Sequence, residues 1–408
     1  GNILLGAVSA AGNTVTLAAS AGAIADNNAG VNNLVATTAN LSAGGAIGTA
    51  ADPLESTIAA LSASATAGGV FLVETAAATL TLSSVTAGGA GSNVVISNTA
   101  VGGDIVATSV TATDDAITLS AATAGGDISL GLVTAGNAGT VTLTAGAGGT
   151  GSIIDTDGDV DVVAGVATLN AQQNIGVVGT EIDTTVGSLS ATTAAGQIAV
   201  IESDGLTLGA ITAVGGNAAV TSTAGNILLG TVSAAGNTVT LSASAGAIAD
   251  NNVGANNLVA ATANLTAGGA IGTAADPIES TIAALSATST AGGIFLVETA
   301  AATLTLTTVA AGGAGSNVVI SNTAVGGDIV ATSVTATDDA ITLSAATAGG
   351  DISLGLVTAG SAGTVTLTAG AGGTGSIIDT DGDVDVVAGV ATLSAQQNVG
   401  VAGTEIDT

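Results

Sequence analysis

The sequence predicts an all-β chain, a parallel β-helix (β-solenoid) of about 18 coils with no substantial α-helix. Three observations lead to this fold class. The chain repeats itself on two length scales, its Val, Ile and Leu residues alternate with small polar residues, and its only aromatic side chains are 2 Phe in 408 residues.

The longer repeat covers almost half of the chain. Residues 1–184 return as residues 225–408 at an offset of 224, with 17 differences over the 184 positions. We therefore expect two long repeats, 1–224 and an incomplete 225–408 that is equivalent to 1–184, joined in one continuous rod. Because the second repeat stops inside a period, we also expect the chain to be a window of a longer tandem array.

A shorter period, mostly of 21 to 25 residues, lies inside the long one. Each short unit holds two or three alternating runs such as "NTVTL" at 13–17, which indicate strands. A unit of this size cannot bury its apolar face alone, which is typical of a solenoid coil. The recurring large apolar residues are Ile3, Ile24, Ile47, Phe71 and Val95, and then Ile105, Ile128, Ile153, Ile175 and Ile198.

The core composition separates a β-helix from a row of β-sandwich domains. Sandwich domains need bulky aromatic residues between their sheets, and this chain has only 2 Phe. A slender coil filled by stacked Val, Ile, Leu and Ala needs none. Disorder, which Gly-rich and highly charged chains often show, is contradicted by the regular β-branched alternation.

The segment "DPLEST" at 52–57 is the main candidate for a helix start. Pro53 after Asp52, with Glu55 following, fits the first turn of a helix. Its looser counterpart "EIDTTVGSLSATTA" at 181–194 has Gly and β-branched residues in the same places. A strand that follows a proline turn is therefore the better prediction.

Composition excludes most functions before any motif is considered. The chain has no His, Cys, Lys, Arg, Tyr, Trp or Met, so it lacks the usual general bases, nucleophiles and soft-metal ligands. We expect no enzyme activity and no required cofactor. A net charge of −30 without one basic side chain argues against nucleic acid or an anionic membrane as a partner. No uninterrupted apolar run reaches the length of a membrane span, so we expect no membrane insertion.

A ladder of aspartates is the main candidate site. "SIIDTDGDVDVV" at 152–163 recurs unchanged at 376–387. Carboxylates at alternate positions around a glycine resemble the start of a calcium loop, although the glycine comes too early for the full pattern. Alternatively, the ladder is a solvated turn, or a strand that places all four carboxylates on one solvated face with Val160 and Val162 inward. The predicted Ca²⁺ ligands are Asp155, Asp157, Asp159 and Asp161, with Asp379, Asp381, Asp383 and Asp385 in the copy.

The repeat "GAIGTAADPLESTIAALSASATAGGVFLVETAAATLTL" at 45–82, echoed at 174–208, resembles the coils of filamentous-haemagglutinin-like large bacterial exoproteins and adhesins. The resemblance covers essentially the whole chain. It implies a right-handed β-helix that is secreted or displayed on a bacterial cell surface, where it acts as a stalk, fibre or adhesive surface.

Two functions follow from these observations. The first is a structural extracellular fibre or adhesin stalk without chemistry of its own. The alternative is a ligand-binding adhesin surface on the same solenoid, for a cell, a glycan or ice. Uncapped coil ends lead us to expect the chain itself as a partner, head-to-tail and laterally. Since no basic residue relieves the acidic charge, divalent cations are the other expected partners.

Overall fold

A computed structural model describes residues 1–28, 30–121, 123–345 and 347–408. The chain is a parallel β-solenoid of about 17 turns, with 63% of its residues in strands and no helix among the described residues. The predicted fold class is therefore confirmed, while the right-handed sense stays a prediction. In the part of the chain that the structure describes, no helix has the length and apolar character that crossing a bilayer requires.

The chain divides into two compact units, Gly1–Glu202 and Ser203–Thr408. The long repeats predicted at 1–224 and 225–408, and their arrangement as one rod, stay predictions. The strands of the first unit are β1 (Ile3–Leu5), β2 (Val8–Ala19), β3 (Ile24–Asp26), β4 (Leu34–Ala43), β5 (Leu54–Thr57), β6 (Ala60–Ala65), β7 (Val70–Glu74), β8 (Thr79–Ala87), β9 (Val94–Asn98), β10 (Asp104–Ala112), β11 (Ala116–Ala121), β12 (Ile128–Ala145), β13 (Ile153–Asp155), β14 (Val162–Ala171) and β15 (Ile182–Glu202).

The second unit is built in the same way. Its strands are β16 (Leu206–Ser222), β17 (Ile227–Ala243), β18 (Ile248–Asp250), β19 (Leu258–Ala267), β20 (Ile278–Thr281), β21 (Ala284–Ser289), β22 (Ile294–Glu298), β23 (Thr303–Ala311), β24 (Val318–Asn322), β25 (Asp328–Ala336), β26 (Ala340–Ala345), β27 (Ile352–Ala369), β28 (Ile377–Asp379) and β29 (Val386–Ala395).

Parallel pairing stacks equivalent residues of successive turns into columns. One inward column of the first unit runs through Ile24, Ile47, Val70, Val94 and Ile117, each of which is 0% exposed. Burying one such side chain contributes about 1.5–3 kcal/mol. Since side chains alternate across a strand, the residues between them point outward, which explains why small polar residues alternate with Val, Ile and Leu.

The "DPLEST" segment adopts the predicted strand. β5 begins at Leu54, directly after Pro53, and a backbone pair between Thr49 and Asp52 closes the turn before it. Gly48 enters this turn with φ 66°, and a Cβ there would collide with the carbonyl oxygen of Phe71 in the next turn. Glycine is therefore required where two turns approach this closely.

Candidate metal centre

The predicted aspartate ladder forms a turn rather than a strand. β13 ends at Asp155, and β14 begins at Val162. Asp155 is 8% exposed and Asp161 is 0% exposed, whereas Val160 is 38% exposed. The alternative in which four carboxylates share one solvated face, with Val160 and Val162 inward, is therefore wrong for the carboxylates and for Val160, and right for Val162, which is 0% exposed. A turn does not keep the two-residue alternation of a strand, so the two ends of the ladder enter the core.

The middle of the ladder is the solvated tip of this turn. Asp157 and Asp159 are exposed. One carboxylate oxygen of Asp157 accepts the backbone N–H groups of Asp159 at 3.0 Å and Gly158 at 2.9 Å, and these hydrogen bonds lower the pKa of Asp157. Asp157 therefore stabilises the turn locally.

The two buried ends meet a third carboxylate that sequence reasoning missed. Asp183 lies in β15, and carboxylate oxygens of Asp155, Asp161 and Asp183 all lie within 4.8 Å of one another. Asp157 and Asp159 are not part of this group. The signal for Asp183 was its position 22 residues after Asp161, about one turn later. The structure thus brings together two of the four predicted ligands and adds one.

The strand positions explain how these carboxylates become buried. Asp155 pairs with Leu130, which pairs with Ala107, so Asp155 continues an inward column of apolar residues. The backbone N–H of Asp161 donates to the carbonyl oxygen of Asp183 at 2.8 Å, and the N–H of Asp183 donates back to Asp161 Oδ2 at 2.8 Å. The backbone N–H and the Oδ2 atom of Asp161 are therefore bound to the following turn, and its Oδ1 atom is not.

The other oxygen of Asp161, Oδ1, is one of six buried carboxylate oxygens without a hydrogen-bond partner among the described residues; four of the others belong to Asp26, Glu55, Asp250 and Glu279. Oδ1 has almost no solvent contact and no hydrogen-bond partner. Burial raises the pKa of Asp161 to about 8, the N–H of Asp183 acts in the opposite direction, and the charges of Asp155, Asp183 and Asp157 raise it further. Burial and neighbouring carboxylates also raise the pKa of Asp183. An unpartnered buried carboxylate oxygen is costly, so this position calls for a positive partner or a proton.

The same arrangement occurs earlier in the unit with an amide in place of one carboxylate. Asp26 ends β3 as Asp155 ends β13, Asn33 precedes β4 as Asp161 precedes β14, and Glu55 lies in β5 as Asp183 lies in β15. We call Asp26–Asn33–Glu55 and its copy Asp250–Asn257–Glu279 the asparagine triads. We call Asp155–Asp161–Asp183 and its copy Asp379–Asp385–Asp407 the aspartate triads.

The backbone hydrogen bonds of the two kinds of triad coincide. The N–H of Asn33 donates to the carbonyl oxygen of Glu55 at 2.8 Å, and the N–H of Glu55 donates to Asn33 Oδ1 at 2.9 Å. Asn33 Nδ2 then donates to Asp26 Oδ1 at 2.5 Å. The amide nitrogen of Asn33 therefore occupies the place that corresponds to Oδ1 of Asp161.

The copy in the second unit repeats the hydrogen bonds of the aspartate triad. Asp379 is 5% exposed and Asp385 is 0% exposed, and Asp385 Oδ1 again has no partner. The N–H of Asp407 donates to Asp385 Oδ2 at 2.7 Å. Among the described residues, however, only Asp155, Asp161 and Asp183 form a group of three carboxylates whose oxygens lie within 4.8 Å of one another. Asp381 and Asp383 are exposed at the tip of the turn.

Burial alone does not leave a carboxylate unsatisfied in this fold. Glu74 is 0% exposed, and its Oε2 accepts Ser56 Oγ and the N–H of Ile58, both at 2.7 Å. Its Oε1 accepts the N–H groups of Thr75, Ala76 and Ala77 at 2.9–3.0 Å. Five donors therefore surround Glu74, which closes the turn after β7 without any cation.

The neighbouring residues Asp114 and Asp115 stabilise the backbone of a turn and its contact with the preceding turn. Asp114 has φ 58°, in the left-handed region, and leads the chain from β10 into β11. Asp115 accepts the N–H of Gly91 at 3.1 Å and that of Ser92 at 2.8 Å in the preceding turn. Both contacts join successive turns.

Comparisons of this chain with protein-family models, with curated proteins and with solved structures find no match. The fold defines the class of protein, a parallel β-solenoid built from tandem repeats. The finer resemblance to filamentous-haemagglutinin-like exoproteins has no support from these comparisons.

Proposed function

We propose that this chain is a structural segment of an extracellular fibre or adhesin stalk and carries no catalytic activity. The observation that supports the proposal is the repeated use of the same inward columns of Ile, Leu, Val and Ala in both units. Each turn of such a fold is stabilised by its neighbours, so adding turns extends the structure without any new chemistry. The composition supports the same conclusion, because hydroxyl, amide and carboxylate groups are the only reactive side chains present.

We place this function outside the cell, secreted or at a bacterial surface. The support is the resemblance of the coils to those of large exoproteins, together with an acidic chain of net charge −30. A strongly acidic surface keeps long repeat proteins soluble, since like charges oppose unspecific association.

A partner of the same kind is part of the proposal. Its support is the parallel pairing of successive turns, in which each strand offers backbone N–H and C=O groups to the next one, as β14 does to β15. Strand edges that are not covered in this way favour pairing with another strand. Sedimentation at increasing concentration tests this, with association expected for the whole chain. A wild type that stays monomeric at every concentration contradicts self-association.

The second candidate function, a ligand-binding face, is favoured by one observation. Parallel pairing in the first unit aligns Thr118, Thr142, Thr168 and Ser190 in one outward column. Parallel strands lie about 4.8 Å apart, so the hydroxyl groups form a regular row. The neighbouring column is interrupted by Ala116 and Val166, which makes the row narrow.

A binding experiment separates the two functions. The labelled chain is applied to immobilised glycans, to cells and to ice, beside a variant with Thr118→Val, Thr142→Val and Thr168→Val. A stalk segment shows no saturable binding in either form. Saturable binding by the wild type that the valine variant loses contradicts the stalk proposal and favours the binding face.

A further inference from the structure

We propose that the aspartate triad Asp155–Asp161–Asp183 binds one calcium ion, which links two successive turns of the first unit. Asp155 and Asp161 flank one turn, and Asp183 belongs to the next. The proposal concerns this site alone and does not depend on the stalk function.

The buried, unpartnered oxygen of Asp161 points to a missing positive group. Asp161 is 0% exposed, and its Oδ1 has no hydrogen-bond partner. In the asparagine triad, the amide of Asn33 donates from the equivalent place to Asp26 Oδ1 at 2.5 Å. The equivalent atom of Asp161 can only accept hydrogen bonds, and it has no donor, while a carboxylate oxygen of Asp161 lies within 4.8 Å of one from Asp155 and one from Asp183. A cation between the carboxylates supplies the attraction that the amide supplies elsewhere.

The cation must come from solution. The chain has no Lys, Arg or His, so no side chain can neutralise three converging carboxylates. Unlike Glu74, with its five donors, the triad has few backbone N–H groups available to it. Asp155 Oδ1 accepts the N–H of Asp157 at 2.8 Å, and Asp161 Oδ2 accepts that of Asp183.

The dimensions and chemistry of the triad favour calcium. Calcium takes oxygen ligands at about 2.3–2.6 Å, so ligands on opposite sides of the ion lie up to about 5 Å apart. The three carboxylate oxygens lie within 4.8 Å of one another, which is close enough for one calcium ion to be shared by all three. Magnesium requires about 2.0–2.1 Å and a near-ideal octahedron, and is therefore the poorer fit. Asp183 is half-buried, so one side of the triad remains open to the ion and to its remaining water ligands.

The copy in the second unit is expected to bind calcium more weakly. Asp379, Asp385 and Asp407 repeat the hydrogen bonds of the first triad, and Asp385 Oδ1 is again without a partner. The carboxylate oxygens of this copy are not among those found within 4.8 Å of one another in the described part of the chain, so fewer ligands are in place for an ion. Its contribution is separated from that of the first site by substituting one triad at a time.

Equilibrium dialysis of the whole chain against calcium chloride, at constant physiological ionic strength, tests the proposal. Asp161→Asn places the side chain of Asn33 in the first triad and is expected to lose one bound calcium ion per chain. Asp157→Asn removes the same charge at the exposed tip of the same turn and is expected to keep it. Equal binding by Asp161→Asn and the wild type, or an equal loss in both variants, overturns the proposal, because the bound cations are then diffuse counterions.

If circular dichroism shows that Asp161→Asn does not fold, a variant that creates a new calcium site tests the proposal instead. Asn33→Asp converts an asparagine triad into three carboxylates, and it is expected to bind one more calcium ion than the wild type. It should also fold better in calcium than in chelator. An Asn33→Asp chain that gains no ion, or that stays unfolded in calcium, overturns the proposal.

Discussion

The asparagine triad at Asn33 and the aspartate triad at Asp161 differ mainly in one functional group. Both side chains accept an N–H from the following turn, at 2.9 Å for Asn33 and 2.8 Å for Asp161. Asn33 uses its other atom to donate to Asp26, whereas Oδ1 of Asp161 has no partner. The same backbone therefore holds an amide that donates to Asp26 in one place and a buried oxygen without a donor in the other. The asparagine triad is not fully satisfied either, because Asp26 Oδ2 and Glu55 Oε2 are also buried without a partner.

A buried carboxylate in this fold is not necessarily one whose hydrogen bonds are unsatisfied. Glu74 and Asp161 are both 0% exposed, but Glu74 is surrounded by hydrogen-bond donors and Asp161 is not. A buried carboxylate is costly when its oxygens lack donors, and inexpensive to retain when they have them. A shortage of donors and the approach of three carboxylates within 4.8 Å together distinguish the aspartate triad from the hydrogen-bonded Glu74.

The largest effect is expected at Glu74. Glu74→Gln replaces one accepting oxygen with an NH₂ group that faces N–H donors, so the turn after β7 should lose about 3 kcal/mol or more of local opening free energy. Hydrogen exchange of the β7 amides measures this. Because Glu74 binds no cation in this account, the loss should be equal in calcium and in chelator, and a calcium-dependent loss would place Glu74 among the metal ligands.

The next effect is a stabilisation. In chelator, Asp161→Asn should raise the local opening free energy around β14 by about 1–3 kcal/mol, because the new amide donates to Asp155 as Asn33 donates to Asp26. Hydrogen exchange of β14 in wild type and variant provides the measurement. A variant that is less stable than the wild type in chelator would mean that Oδ1 of Asp161 is not the unsatisfied atom.

A smaller effect is expected when the pH is changed, at Glu279 of the second asparagine triad. Burial raises the pKa of Glu279 above its ordinary 4.5, and the facing charges of Asp250 and Asp276 add to this. The folded state then binds this proton more tightly than the unfolded state. The opening free energy of β20 is therefore highest below pH 4.5 and falls as the pH rises through the raised pKa.

Glu279→Gln isolates this pH effect. The variant should lose that part of the pH dependence at β20 and keep the rest. Hydrogen exchange corrected for the intrinsic pH dependence of amide exchange measures it. A wild-type β20 that becomes more stable between pH 4.5 and neutrality would have the wrong sign for this account.

The smallest effect is expected at the tip of the aspartate turn. Asp157→Asn keeps an oxygen that can accept the N–H groups of Gly158 and Asp159, and Asp157 is exposed. Its effect on stability should stay within about 0.5 kcal/mol in calcium and in chelator. A loss of several times that size would show that the tip contributes to the buried triad.

Most of the fold was accessible from the sequence. The alternation in segments such as "TVTLT" at 140–144 correctly predicted inward Val141 and Leu143, both 0% exposed, because the strand period of two does not depend on distant residues. The strand after Pro53 was also predicted correctly, since its counterpart at 181–194 contained residues unsuited to a helix.

The candidate site was accessible only in part. Asp155 and Asp161 were among the predicted ligands, but their burial was missed because a turn within the ladder breaks the alternation that a strand would impose. Asp183 was missed because its approach to Asp161 depends on the register between β14 and β15, which pairs Val162 with Thr184. The period of 21 to 25 residues places Asp183 about one turn after Asp161, but the exact register within that range is set by packing between turns.

The account's central claim is that an amide at Asn33 and a calcium ion at Asp161 perform the same task. The most direct test is hydrogen exchange of β14 and β15 in saturating calcium and in chelator at equal ionic strength, for the wild type and for Asp161→Asn. The account predicts that calcium stabilises these strands in the wild type, by about 2.7 kcal/mol at one hundred times the dissociation constant. It predicts no calcium effect beyond ionic strength in Asp161→Asn. An equal calcium effect in both proteins would contradict it.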